Sequence, residues 1–179
     1  MAINELLLQE FDRELTSIRK TLERVPDDQF DWAPHPKSMK LGRLAGHLAE
    51  LTTWGAATIA QDDLELAPKG SEQWKAFVPA SRQEVLDRLE TSSAEFREKL
   101  VNCDDAAMQR QWRLLRNGEV MLAMPRYMAL RSFVMNHCIH HRAQLGVYLR
   151  LLEIAVPSVY GPSADENPTP FTSSNAGAA

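Results

Sequence analysis

Apolar side chains recur every three to four positions in four long segments, the spacing that lines them along one face of a helix. The first segment runs from about Asn4 to Val25, with Leu7, Phe11, Leu15, Ile18, Leu22 and Val25 on one stripe. Pro26 stops it, because proline cannot donate the backbone bond that a continuing helix needs. A proline-marked, extended connection follows at Asp31–Pro36. The second helix spans about Lys40 to Ile59 and carries Leu44, His47, Leu51 and Thr58 on one side. A long connection containing Gly70 and Pro79 leads to Ser81 and Glu84, whose spacing is that of a capping box, each side chain placed to bond the other's backbone N–H. This third helix continues to about Val101 through Val85, Leu89, Phe96 and Leu100.

Between Gln111 and Met124 the pattern changes. Asn117-Gly118 separates Trp112–Leu115 from Val120–Leu122, a strong short-range signal for a β-hairpin. The fourth helix begins after Pro125, a favoured first-turn residue, and runs to about Glu153. Residues 168–179 are small and polar and read as a disordered tail. The expected fold is all-α: a four-helix bundle in one domain over residues 1–167, with a small hairpin inserted before the last long helix. The connections are long enough that helices consecutive in sequence need not be neighbours.

Composition narrows the function. A chain of 179 residues with a net charge of −4 is a poor coat for phosphate backbones, so no nucleic-acid partner is expected. No apolar run approaches the roughly 20 residues of a membrane span. The N-terminus turns acidic at once and lacks the basic start of a signal peptide. Two cysteines suit a reducing cytoplasm.

Of the five histidines, three crowd into Asn136-His137-Cys138-Ile139-His140-His141-Arg142, inside the fourth helix. At about 100° per residue, His137 and His141 lie about 40° apart around the axis, on the same side as Leu130, Val134, Leu145, Tyr148 and Leu152. His140 falls on the other side, nearer Phe133 and Leu151. A metal shared by two of the three is therefore expected between His137 and His141, with the third ligand from elsewhere. His47 faces the core of the second helix and is the best candidate. The alternative is a set of hydrogen-bonded core histidines. Three inward imidazoles without a counter-charge are costly to bury unless partners or a metal satisfy them.

The segments Gly42-Arg43-Leu44-Ala45-Gly46-His47-Leu48-Ala49-Glu50 and His137-Cys138-Ile139-His140-His141-Arg142-Ala143-Gln144-Leu145 resemble the two signature regions of DinB-like proteins. Trp32-Ala33-Pro34 and the stretch from Val156 to Glu166 fit one branch of that family. Ala143 departs from the Gly that relatives often carry. The resemblance implies a four-helix bundle, usually dimeric, with a divalent metal on His47, His137 and His141. The all-histidine pattern is closer to DinB itself and to bacillithiol S-transferases than to mycothiol-dependent isomerases, some of which place Glu at one ligand. Zn²⁺ or Ni²⁺ is the expected ion, with Fe²⁺ or Mn²⁺ as alternatives.

Such an ion lowers the pKa of a thiol or water or polarises a carbonyl. Two chemistries follow from the resemblance: transfer of a low-molecular-weight thiol to a small electrophile, or hydrolysis. The alternative is a non-catalytic, stress-related metal-binding dimer. Glu50, three residues after His47, is read as a partner of that ligand or a general base, and equally as a solvated carboxylate. Arg142 and Gln144 are read as substrate contacts or, more commonly for such residues, surface or interface salt bridges. Tyr160, Asp165 and Glu166 sit in a loop that folds back to pack on the bundle end. Cys138 is read as a small buried side chain, and Cys103 carries no nucleophile signature. His35 is placed in an exposed loop, and His140 in packing within the bundle or a dimer interface. Trp54, Trp74 and Trp112 are candidates for a pocket lining, with core packing the commoner role.

Overall fold

Helix α1 (Ile3–Leu22) turns its Leu7–Phe11–Ile18–Leu22 stripe inward, and a single 3₁₀ turn at Asp27–Gln29 follows the stop at Pro26. The computed structural model describes residues 1–68 and 76–166; the expected tail at 168–179, and Gly70 and Trp74, lie outside the described residues. Helix α2 (Leu41–Ala60) is the central element, with most of its length buried. Glycines let its neighbours approach closely. A Cβ on Gly46 would lie 2.6 Å from Pro79 Cδ and 3.0 Å from the Phe77 carbonyl, and one on Gly55 would lie 2.7 Å from the Phe96 ring.

Helix α3 (Arg82–Val101) opens as expected, with Ser81 Oγ accepting from the Glu84 N–H at 3.2 Å. The return arm of the box differs: Glu84 accepts from the Ala80 N–H, one residue earlier than the capping-box pattern. A short helix α4 (Asp105–Gln109), capped by Asp104 on the Ala107 N–H, was not visible in the periodicity because it spans little more than a turn.

The hairpin forms from β2 (Gln111–Arg116) and β3 (Glu119–Pro125), antiparallel, with a register shift at Leu114/Leu115. Asn117 and Gly118 both take positive φ, 54° and 83°, the backbone that the two-residue turn requires. It is larger than expected. A third strand, β1 (Asp63–Glu65), pairs in parallel with β2 and makes a β1-β2-β3 sheet. Three residues give no readable alternation, and their partner lies some fifty residues away.

The fourth long helix is continuous from α5 (Arg126–Met128) through a π-helical stretch (Ala129–Met135) to α6 (Asn136–Leu151). In the bundle, α1 and α2 each pack against α3 and α6, so α1 sits across from α2 and α3 across from α6, while the consecutive pair α2 and α3 pack side by side. One core cluster joins Leu22, Leu44, Leu48, Leu89 and Leu145, and a second joins Phe11, Phe96, Leu100 and Val134. Trp112, fully buried, anchors the sheet in a third with Leu114 and Ala129.

Candidate metal centre

The facing surfaces of α2 and α6 bring His47, His137 and His141 together. Their ring centroids are 5.2 Å (His47–His137), 4.7 Å (His47–His141) and 4.6 Å (His137–His141) apart. One ring nitrogen from each lies within 4.8 Å of the others, and no other His/Cys/Asp/Glu group of this kind occurs among the described residues. Three imidazoles converging in this way are a donor set of the kind that holds one ion at bonds of about 2.0–2.1 Å.

Each ring is held from behind. His47 Nδ1 lies 3.2 Å from Glu50 Oε1, and His141 Nδ1 lies 2.7 Å from Gln144 Oε1. Those oxygens accept, so each Nδ1 carries the proton and leaves the Nε2 lone pair free to bind. The His137 ring bonds the Phe133 backbone, at the junction where π-helical winding returns to α. Phe133, four residues before His137, packs beside it with 6.3 Å between ring centroids, the ordinary contact of side chains one helical turn apart. Phe133 in turn stacks on Trp54 at 5.5 Å, and Trp54 stands edge-on to His47 and His137 at 6.1 Å from each.

Burial sets the charge state. It pushes the His141 imidazole down to about 4, outweighing the Gln144 bond and assisted by the neighbouring histidines. It lowers His137 as well, with His47 next in effect. Neutral imidazoles are the form that binds a metal. Glu50 is buried, 5% exposed, which excludes the solvated carboxylate. Its Oε1 also meets Arg43 at 3.0 Å, and its Oε2 accepts from the Phe77 N–H at 3.1 Å. The donor set and its tautomers fit a divalent ion.

The sequence model of the DinB family matches residues 1–170. The chain belongs to the DinB family. It is 28% identical over 160 residues to the Bacillus subtilis (strain 168) protein YrdA, with 89% of each chain covered. A DinB-like protein of Bacillus cereus ATCC 10987 superposes with a TM-score of 0.66 at 24% identity, covering 87% of this chain and 97% of that one. The DinB-like protein YjoA of Bacillus subtilis gives 0.63 at 16% identity, covering 86% and 96%. These likenesses show that the two structures share this DinB fold.

Other expectations divide. In this DinB-family bundle the salt bridge of Arg142 is internal rather than on the surface. Arg142 is 4% exposed and forms a buried ion pair with Glu14 of α1, itself 4% exposed. Tyr160 donates to Glu14 Oε1 at 2.7 Å, and its ring lies 4.8 Å from the Arg142 guanidinium carbon. The 156–166 loop folds back on the bundle as expected. Glu166 pairs with Arg24 at 2.6 Å, and Asp165 pairs with Arg150 and accepts from the Val156 N–H. His140 is exposed and does not pack inside the bundle, and His35 is exposed in its loop. Cys138 is buried, and its thiol is pushed up to about 12. Trp54 borders the histidines, whereas Trp112 serves the core. Arg43 was missed, although it sits four residues before His47 and seven before Glu50, a spacing that marks one helix face.

Proposed function

We propose that this DinB-family chain is a metal-dependent enzyme acting on a small molecule, with His47, His137 and His141 holding one divalent ion. The observation that carries the reading is the triangle of ring nitrogens within 4.8 Å, each ring anchored by a separate partner. When bound, the ion supplies Lewis acidity toward a thiol, a water or a carbonyl. Zn²⁺ and Ni²⁺ suit three imidazoles best, with Fe²⁺ and Mn²⁺ as alternatives. Glu50 orients His47. Both its oxygens are engaged, which favours this role over proton transfer. Thiol transfer to an electrophile and hydrolysis are the two reactions proposed.

A catalytic site is favoured over a purely structural one because no fourth protein ligand joins the cluster among the described residues, and a cavity opens beside Trp54. We place the protein in the cytoplasm. Among the described residues no helix is long and apolar enough to cross a membrane. Val147 and Leu151, four residues apart and exposed on α6, support a homodimer. Elemental analysis of untagged protein tests the site, with about one ion per chain expected. A panel pairing low-molecular-weight thiols with electrophiles, run beside ester and amide substrates, then assigns the chemistry. Absence of any bound transition metal after reconstitution overturns the reading.

A further inference from the structure

Beside Trp54 lies a cavity of about 490 Å³ that shares this indole with the metal centre but is lined by none of its three histidines. Its inner wall is Trp54, the indole that also stands edge-on to His47 and His137. From there it follows the next turn of α2 past Ala57, with Thr53 at its side, and is closed opposite by Leu64 and Leu66 around β1. Two charged residues line it. Glu65 is already committed: its carboxylate accepts from the Ala67, Asn117 and Gly118 N–H groups at 2.9–3.0 Å. Arg116, at the end of β2, forms no ion pair among the described residues, so its guanidinium is the cation left to meet a ligand.

We propose that this cavity binds the body of the substrate, and that the substrate is a small amphiphile with an apolar alkyl or aryl portion and one terminal anionic group paired with Arg116. The apolar walls exclude water from the carbon chain, the guanidinium matches a carboxylate in charge and shape, and the shared indole points the other end of the molecule at the histidines. This deepens the enzymatic reading of the same site and rests on it for what happens at the far end.

Octanoate, octanol and octylamine, titrated calorimetrically into the metal-reconstituted full chain, test it. Octanoate is expected to bind one site per chain at least tenfold more tightly than octanol, with octylamine weakest. Arg116→Gln should bring octanoate to the affinity of octanol. Ala57→Phe, and Thr53→Phe at the exposed rim in case the first fails to fold, should abolish binding of both. Equal affinities for octanoate and octanol in the natural chain, or binding that survives both filling variants, overturns the proposal. Metal content of the same samples keeps the two readings apart. Octanoate bound by protein that takes up no metal on reconstitution sinks the metal assignment and leaves the cavity assignment standing, whereas metal uptake without octanoate binding sinks the cavity.

Discussion

Glu50 and His47 lie one turn apart on α2, and their side chains meet at 3.2 Å with the carboxylate oxygen facing Nδ1. This contact fixes which imidazole nitrogen is free. It also ties the ligand to the chain that returns after β1, through the Phe77 N–H on the other carboxylate oxygen.

Glu50→Gln keeps an acceptor of similar shape but removes the charge that raises the basicity of His47. Metal affinity, read by competition with a chelator, should fall by about 10–100-fold, and Glu50→Ala should lose at least as much. Unchanged affinity in both variants would mean that Glu50 does not support a metal ligand.

His47→Ala, His137→Ala and His141→Ala should each take bound metal well below one ion per chain. His140→Ala and His35→Ala should retain the natural content, because both side chains are exposed and lie outside the cluster. Full metal in His137→Ala, with unchanged thermal stability, would disprove the ligand assignment.

Arg142→Met leaves the Glu14 carboxylate buried without its cation, and an uncompensated buried charge of this kind costs about 3–5 kcal/mol. The double variant Glu14→Leu/Arg142→Met removes both charges and should recover most of that loss. Urea unfolding of the four proteins measures the coupling. A double variant as unstable as the sum of the singles contradicts a direct ion pair.

Iodoacetamide reports the buried thiols, because the thiolate is the reactive form. A thiol raised to about 12 by burial, with the Glu14 charge acting in the same direction, carries little thiolate at pH 9. Alkylation of native Cys138 should therefore keep accelerating above pH 9, whereas in the unfolded chain it should level off above the ordinary value of 9.0. Burial raises Cys103 in the same direction. Rapid labelling of native Cys138 at pH 8 would show that its pocket is open.

Gly46→Ala tests how closely the returning chain presses on α2. The added methyl meets Pro79 and the Phe77 carbonyl, so a loss of about 1–3 kcal/mol is expected. Metal affinity should weaken with it, since Phe77 also holds Glu50. A fully stable variant with natural metal affinity would show that the 77–79 segment yields freely.

Much of this architecture was legible along the chain. Helical phase put His47, His137 and His141 on buried or half-buried faces because α2 and α6 are regular where those residues lie, and Asn117-Gly118 announced its turn because few other pairs tolerate two positive φ values. Phase said nothing of the π-helical winding at Ala129–Met135, which leaves no periodic mark over seven residues. It also said nothing of β1, a strand too short to alternate and paired across some fifty residues. Arg142 went astray for a different reason: a charged residue reads as exposed until its partner is known, and Glu14 lies on another helix.

The sequence by itself therefore determined the four long helical segments, the hairpin and the bundle, and marked out the three histidines, because periodicity and turn chemistry are local properties. Only the tertiary structure decided that α1 and α2 face each other across the bundle, that Glu50 and Gln144 take the rear nitrogens of two ligands, that Arg142 is buried on Glu14, and that a cavity opens beside Trp54. Each of these depends on which distant surfaces meet, and that is set by how all the apolar stripes are buried at once.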